Sequence, residues 1–323
     1  MRRGRLLAVL LAAAAVAATA ASGGTRDTAP SHLTIAYQPG LGYAPLIVLK
    51  AQHTIENQFP GTKVDWKVLA SGAAITNGVI AGQIDIGAGG VGPLLTGWAA
   101  GVNWKLLTPL NDGDLWLMAK DPAIKTVADL KGKRIALPSP TSIQAVILRR
   151  MAQMKLGDAH ALDAGLVSMD HPDAMQALLS GQIDAHLTSA PFQFQEKVNG
   201  AHVVARSYQY FGQHSFLGVF ATQRFYDTNT AFATKLYADI LQAEQLIKTN
   251  PLRVAHILQD DAGGQPTWRQ FKQWLASPAL TWTTRPRGLM RFASFMSRTN
   301  QLPKMPSSWQ DLVFPTVLGT KGS

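Results

Sequence analysis

Two runs of small residues, each placed where a strand meets a helix, are the positions of this sequence best suited to chemistry. The first is Gly87-Ala-Gly-Gly-Val-Gly92, followed by Pro93, and the second is Thr188-Ser-Ala-Pro191. Because proline is favoured in the first turn of a helix, both runs are predicted to lead into helix N-termini. Small side chains let a ligand approach backbone N–H groups, and the helix dipole favours negative charge there. The pattern therefore indicates a binding site that suits an anion.

The residue types that most catalytic and metal sites need are missing or scattered. Cysteine is absent, which removes disulfides, thiolate metal sites, cysteine nucleophiles and a lipid-modified N-terminal cysteine. No Gly-x-Ser-x-Gly or His-Glu-x-x-His motif occurs, and the histidines lack metal-ligand spacing. We interpret His171, His186 and His214 as structural, core or rim residues, and Asp112 and Asp114 as acids of a solvated loop. The sequence therefore predicts a protein that is not an enzyme and holds no metal or cofactor.

The first 20 residues are typical of a secretory signal peptide. Arg2, Arg3 and Arg5 precede an apolar run over residues 6–18, and Ala18-Thr-Ala20 offers a small-residue cleavage pattern. Cleavage near Ala20 would place the protein in the periplasm and lower its formal net charge from +10 to +7. An uncleaved N-terminal anchor is the alternative, and the choice between general and twin-arginine export stays open.

Length and charge limit the class of protein. The chain has 323 residues, 46% hydrophobic and 15% charged, which is enough for two domains or one large one. Lysine and arginine are spread along the chain, which favours a solvated surface over a nucleic-acid-binding face.

The elements around the small-residue runs occur twice. Ala81-Gly-Gln-Ile-Asp-Ile86 returns as Ser180-Gly-Gln-Ile-Asp-Ala185, and the strand and turn of Thr34–Gly40 return in Arg134–Pro140, at offsets of 99 and 100 residues. Two features that keep nearly one offset indicate two lobes of similar construction. The glycine of each Gly-Gln-Ile-Asp motif suits the left-handed position that ends a helix.

Strands and helices alternate from residue 33 to residue 222, which predicts an α/β fold. The predicted strands lie near residues 33–38, 64–69, 84–88, 105–110, 114–119, 134–137, 165–169, 184–187, 202–204 and 216–221. The predicted helices lie near residues 43–53, 72–81, 93–100, 142–155, 171–180 and 190–198. Residues 226–323 are predicted to form helices only, to have no sheet of their own and to pack on one lobe.

Two apolar segments, 115–120 and 216–221, are predicted to be antiparallel crossing strands that form a hinge. Lobe 1 would then comprise residues 33–118 and 222–323, and lobe 2 would comprise residues 119–221. A ligand is expected in the cleft between the lobes, at the C-terminal ends of strands.

Three segments resemble the solute-binding proteins of ABC importers: Ile84-Asp-Ile-Gly87, the stretch Asp121–Pro138, and Asp173–Asp184. The resemblance is strongest to the sulfonate, taurine and nitrate branch, which also includes thiamine-pyrimidine binders. It covers residues 33–225 well and the helical tail loosely. It implies a two-lobed periplasmic binding protein of type II fold, with a hinge and with the C-terminal helical segment on lobe 1. It also implies a monomer that delivers its solute to a membrane permease.

The resemblance further implies a ligand site built from loops of both lobes. In lobe 1 the implied contacts are Tyr37, Gln38, Gly40, Gly42, Tyr43, Ser71, Gly72, Gly89, Gly90, Val91 and the crossing-loop residues Asn111 and Asp112. In lobe 2 they are Ser139, Thr141, Ser142, Gln144, Ser189, Pro191 and Phe192. The segment His186–Phe192 departs from the family, which often carries a tryptophan or an acidic residue there.

These features together predict an exported binding protein that captures a small organic anion, sulfonate-like, or a heteroaromatic solute. Its expected partners are that solute and an ABC permease of the inner membrane, and no nucleic acid. A ligand-presenting sensory adaptor is the first alternative, and an exported enzyme is the second.

Overall fold

The computed structural model describes residues 29–323, so the predicted signal peptide at residues 1–20 lies outside the described residues. The strands are β1 (His32–Tyr37), β2 (Lys63–Val68), β3 (Ile86–Gly90), β4 (Trp104–Gly113), β5 (Trp116–Ala119), β6 (Ile135–Leu137), β7 (Leu166–Ser168), β8 (Ala185–Thr188), β9 (His202–Arg206), β10 (Ser215–Thr222) and β11 (Leu280–Thr281). The α-helices are α1 (Ala44–Ala51), α2 (Thr54–Gln58), α3 (Gly72–Ile80), α4 (Val91–Ala99), α5 (Ile143–Leu156), α6 (His171–Leu179), α7 (Phe192–Val198), α8 (Tyr208–Phe211), α9 (Gln223–Thr228), α10 (Thr230–Thr249), α11 (Pro251–Asp261), α12 (Trp268–Leu275) and α13 (Leu289–Arg298). In this part of the chain no helix is both long and apolar enough to cross a membrane.

The strands form two sheets of closely similar order. The first sheet runs β11-β4-β10-β3-β1-β2 and the second runs β7-β6-β8-β5-β9. In the first, β1 pairs in parallel with β2 and β3, while β10 runs antiparallel between β3 and β4. In the second, β6 pairs in parallel with β7 and β8, while β5 runs antiparallel between β8 and β9. We call the body built on the first sheet lobe 1 and the body built on the second sheet lobe 2.

The duplicated Gly-Gln-Ile-Asp motif has the same role in both lobes. Gly82 and Gly181 follow helices α3 and α6 at φ angles of 69° and 78°, which confirms the predicted left-handed positions. The Asp85 carboxylate then accepts the Thr34 N–H at 2.8 Å, at the start of the lobe 1 sheet. The Asp184 carboxylate accepts the Arg134 N–H at 2.7 Å, just before strand β6 of lobe 2. Each motif thus ends a helix and fixes the strand that precedes a small-residue run.

The α/β pattern is confirmed, and the C-terminal tail is only partly as predicted. Helices α10 and α11 pack on α1, and α13 lies against α4 and α5. The prediction that the tail has no strand is wrong, because Leu280 and Thr281 pair with Gly113 and Asp112 at the edge of the first sheet. A two-residue strand is too short to produce a periodic pattern in the sequence.

The predicted crossing strands are also wrong in their placement. Strand β5 lies wholly in the second sheet and β10 wholly in the first, so neither spans the lobes. The chain instead crosses at residues 114–115 and 207–214. There the Leu115 N–H donates to Ser207 Oγ at 2.9 Å, and the Ser207 N–H donates to the Leu115 carbonyl at 2.8 Å. The Ser207 hydroxyl also donates to the Asp114 carboxylate at 3.3 Å, which joins the two crossings side by side.

The lobe boundaries stay a prediction. Because β5 and β10 each belong to a single sheet, we propose boundaries at residues 114–115 and 207–214 in place of 118 and 221.

Replacing Ser207 by alanine should destabilise the protein. Ser207 is fully buried, so Ser207→Ala leaves the buried Leu115 N–H without its acceptor and should cost roughly 1–3 kcal/mol. Urea denaturation measures the change. The matched control is Ser180→Ala, an exposed serine whose hydroxyl bonds within the last turn of α6, with an expected loss within about 0.5 kcal/mol. Equal losses in the two variants would contradict a structural role for the paired crossings.

A second stability effect should come from Glu244 on α10, whose side chain is 1% exposed. Within residues 29–323 neither carboxylate oxygen has a hydrogen-bond partner, and burial raises the pKa to about 8. The folded protein therefore keeps a proton that the unfolded chain releases above its ordinary pKa of 4.5. Stability should fall as pH rises from 4.5 to 8, by at most about 1.4 kcal/mol per pH unit. Glu244→Gln should flatten that slope in urea titrations, and an unchanged slope would contradict this assignment.

Candidate functional site

A small polar cavity lies between the two lobes, at the ends of strands from both sheets. Its volume is about 20 Å³, room for about one water molecule, so the lobes are closed on one another. The polar side chains of the wall are Gln38, Tyr43, Ser142, Gln144, His171 and Ser189. Among residues 29–323, no lysine or arginine lines this cavity. A negatively charged ligand in this cavity would therefore be stabilised by dipoles and hydrogen bonds, and not by the charge of a lysine or arginine.

Four helices begin at or beside the cavity wall. Gly72 opens α3, Gly90 precedes α4, Ser142 precedes α5, and His171 opens α6. Ser142 accepts the Ala145 N–H at 3.2 Å, which caps α5. Within the described part of the chain, the first turn of α4 has no side-chain cap. The N-termini thus direct positive dipole ends and backbone N–H groups at one point, where they favour negative charge.

The glycines at the start of α4 let the lobes approach each other. A Cβ atom on Gly92 would lie 2.9 Å from the backbone N and Cα of Ile143, at the start of α5. A Cβ atom on Gly90 would lie 2.9 Å from Ile143 Cγ2. The run of small residues was predicted to leave room for a ligand. In the structure it leaves room for lobe 2, which packs directly against it.

A row of buried side chains leads from the cavity into lobe 2. Gln144 Nε2 lies 3.0 Å from His171 Nε2, and His171 Nδ1 lies 2.8 Å from His186 Nε2. His186 Nδ1 lies 2.5 Å from Glu196 Oε1, and the Glu196 side chain is fully buried. We call these four residues the buried chain.

Burial shifts the pKa of every titratable group of this wall toward its neutral form. It lowers the pKa of His171 well below 6.5, helped by the neighbouring His186, and lowers that of His186 to about 3. It raises the pKa of Glu196 to about 9 and raises that of Tyr43 above its usual range. The site is therefore electrically neutral near pH 7.

Only part of the site implied by the resemblance lines this cavity. The residues that do are Gln38, Tyr43, Gly72, Gly90, Ser142, Gln144 and Ser189. A second, more apolar cavity of about 300 Å³ shares Gln38 with the first and is also lined by Tyr37, Gly40, Pro191 and Phe192. The Leu41 N–H donates to the Ala190 carbonyl at 2.9 Å and joins the lobes beside these cavities.

The remaining residues of that set support the wall from behind or lie outside it. Ser71 caps α3 by accepting the Ala74 N–H, Asn111 donates to the Gly42 carbonyl at 2.7 Å, and Ser139 Oγ lies 3.3 Å from Thr141 Oγ1. Gly89 and Val91 lie within β3 and α4. As ligand contacts, all the implied residues stay predictions.

Two expectations about Asp112 and its neighbours are wrong. Asn111 and Asp112 lie in strand β4 and not in a crossing loop. Asp112 and Asp114 are buried, at 0% and 8% exposure, and not acids of a solvated loop. Burial raises the pKa of Asp112 to about 6 against the opposing charge of Arg287, whose Nε lies 3.3 Å from the carboxylate.

The polar wall residue that sequence reasoning missed is His171; the apolar wall residues were not predicted either, and these are Pro39, Pro93, Pro138, Ile143, Phe216 and Leu217. The interpretation as a structural histidine is correct for its burial, yet its ring also forms part of the cavity wall. The internal repeat could have indicated that His171 lies at the site, because His171 is the first residue of α6 as Gly72 is the first residue of α3 in lobe 1.

Comparison with known proteins places this chain among binding proteins. The NMT1-like family matches residues 26–258. A relative from Escherichia coli (strain K12), named for the binding of aliphatic sulfonates, is 26% identical over 227 residues, 69% of either chain. The taurine-binding periplasmic protein of Escherichia coli (strain K12) is 29% identical over 163 residues, 50% of this chain and 48% of that protein.

Solved structures show the same architecture. The alkanesulfonate-binding protein SsuA from Xanthomonas axonopodis pv. citri, bound to MOPS, aligns with a TM-score of 0.73 at 24% identity, covering 89% of this chain and 98% of that one. This likeness confirms the predicted two-lobed type II fold.

Substitution of Gly92 should hold the lobes apart. The valine side chain of Gly92→Val needs space that the Ile143 backbone occupies, so the two lobes should no longer come as close together as in this structure. Because the sequence has no cysteine, a Val68→Cys/Val198→Cys pair can be spin-labelled specifically at two exposed sites, one on each lobe. Electron–electron distance measurements should show a longer mean distance with Gly92→Val.

The control for this measurement is Gly319→Val. In the described structure a Cβ atom at Gly319 meets nothing within 4 Å. That variant should keep the distance distribution of the parent. An unchanged distribution in Gly92→Val would show that the glycine contact does not govern closure.

Proposed function

Because this chain belongs to the NMT1-like family, we propose that it is the solute-binding component of an ABC importer and captures a small organic anion between its lobes. The observation that carries the proposal is the closed cavity at which helix N-termini of both lobes meet. Such a protein acts outside the cytoplasm and delivers its solute to a permease of the inner membrane. We propose export by the N-terminal 20 residues and action as a monomer.

The chemistry of the wall favours an anion with several acceptor oxygens. Hydroxyl groups of Tyr43 and Ser189 and the amides of Gln38 and Gln144 offer donors without any cationic side chain among residues 29–323, whereas the Ser142 hydroxyl already donates to the Ser139 carbonyl at 2.7 Å. A sulfonate group accepts hydrogen bonds on three oxygens, and the named functions of the relatives, aliphatic sulfonate and taurine binding, are of this class. These points support a sulfonate-like ligand.

Capture must involve movement of the lobes. A cavity of about 20 Å³ does not hold a sulfonate, so the lobes must separate to admit the ligand and must then close to a state slightly more open than this one. Contacts from both lobes then stabilise the closed form only when the ligand is present. The ligand stabilises the folded protein by mass action, roughly 2.7 kcal/mol at a concentration 100-fold above Kd.

Thermal unfolding in the presence of single solutes tests the proposal. Ethanesulfonate and nitrate represent the anions, taurine represents a zwitterion with a sulfonate group, and a thiamine-type aminopyrimidine represents the heteroaromatic alternative. We expect at least one anion to raise Tm by several degrees in a concentration-dependent way. Gly92→Val, which should block closure, is the matched variant and should lose the shift while remaining folded.

A rise in Tm with the aminopyrimidine alone would replace the anion by a heteroaromatic solute. The absence of any shift with all four compounds would contradict the proposed function.

A further inference from the structure

The buried chain connects the cavity wall to a carboxyl group that no ligand can reach. Its contacts are 3.0 Å from Gln144 to His171, 2.8 Å from His171 to His186 and 2.5 Å from His186 to Glu196. Within residues 29–323, Glu196 Oε2 has no hydrogen-bond partner. Burying a carboxyl group with one unpaired oxygen costs free energy of folding, so this arrangement needs an explanation.

The proton on Glu196 fixes the direction of every hydrogen bond in the chain. Each contact holds one hydrogen, so an ionised Glu196 must accept from His186, which then accepts from His171. The ring of His171 in turn accepts from the Gln144 amide N–H, and the amide oxygen of Gln144 is left for the cavity. With the proton on Glu196 all the bonds reverse. The Gln144 amide then turns over, so that its oxygen takes the place of the Nε2 atom that faces His171 in the structure and accepts from His171, and the NH2 group is left for the cavity.

We propose that Glu196, acting through His186 and His171, makes this site select anions by holding a proton, and that the anion and this proton bind together. The inference rests on the proposed function and adds its proton dependence. In the protonated form the wall offers an N–H donor to the ligand. In the ionised form the wall offers an acceptor and a buried negative charge, and both repel an anion.

In the part of the chain that the structure describes, the charged groups near Glu196 are engaged elsewhere or exposed. On α7 itself, Lys197 lies over the Trp116 ring at 5.9 Å. Other titratable or charged groups on the elements packed against α7 have their own partners or are exposed: Asp170 caps α6, Asp173 is exposed, His202 bonds the Ile124 carbonyl and Arg206 lies over the Trp116 ring. Tyr43 across the cavity stays neutral up to high pH, because burial raises its pKa.

The pH range follows from the burial of Glu196. Since burial raises the pKa of this carboxyl to about 9, the chain holds its proton near pH 7 and loses it in alkaline solution. Linkage then requires that anion affinity be constant at lower pH and fall as pH rises through that value. The bound anion and an ionised Glu196 repel each other. For a separation of roughly 10 Å and an effective dielectric constant of about 20, this repulsion lowers the affinity for the anion roughly tenfold.

Calorimetric titration of the full protein with ethanesulfonate from pH 6 to pH 10 tests the inference. Buffers without a sulfonate group are needed, and Tris and borate differ enough in ionisation enthalpy to count protons at pH 9. The expected result is an affinity about fivefold lower at pH 10 than at pH 7, part of the way to the roughly tenfold limit, with net proton uptake on binding at pH 9.

The variant Glu196→Gln keeps the size of the side chain and stays uncharged at every pH. Its affinity should be the same at pH 10 as at pH 7, and it should take up no proton on binding. Glu244→Gln is the matched control, because it removes another buried carboxyl group with a raised pKa and should keep the parent's pH profile. A merely structural role for Glu196 would not produce a pH-independent binder.

Three outcomes would overturn the inference. A flat pH profile in the parent, or equal loss of affinity in the parent and in Glu196→Gln, would contradict it and leave the proposed function standing. Failure of ethanesulfonate, taurine and nitrate to bind at pH 7 would overturn the proposed function, and the inference with it. If Glu196→Gln does not fold, the absence of proton uptake by the parent at pH 9 still overturns the inference, and uptake that persists in Glu244→Gln supports it.

Discussion

The approach of Gly92 in lobe 1 to the Ile143 backbone in lobe 2 is the contact on which the site depends. It brings the N-termini of α4 and α5 to one cavity, which neither lobe could enclose alone. The approach is open only to a residue without a Cβ atom, so a run of small residues is required here by packing as well as by any ligand. Function and closure therefore constrain the same few positions.

Neutrality is the second property that organises the site. Anion sites commonly rely on arginine or lysine, and none lines this cavity among the described residues. Oriented dipoles and hydroxyl groups remain, together with a buried chain of two histidines and a carboxyl group whose charged forms burial disfavours. A neutral, fixed set of donors distinguishes ligands by the geometry of their oxygens more than by total charge.

Local patterns made much of the fold predictable. Gly82 and Gly181 end their helices as expected, because a glycine after an amphipathic stretch restricts the backbone locally. The crossings were misplaced, because apolar strands such as β5 and β10 look the same whether they span two lobes or lie inside one sheet. The role of His171 in the wall was missed, since its partners Gln144 and His186 come from other elements and only the folded chain brings them together.

The sheet order has a consequence for how the chain can assemble. Lobe 2 is built from one unbroken stretch, because all five of its strands lie between residues 116 and 206. In lobe 1, β3 and β4 are joined only through β10, which is made after the whole of lobe 2. During synthesis or translocation from the N-terminus, lobe 2 can therefore complete its sheet first, whereas in lobe 1 one edge of β3 and both edges of β4 stay unpaired until β10 and β11 are made. Lobe 1, whose first strands are made before those of lobe 2, therefore completes its sheet after lobe 2.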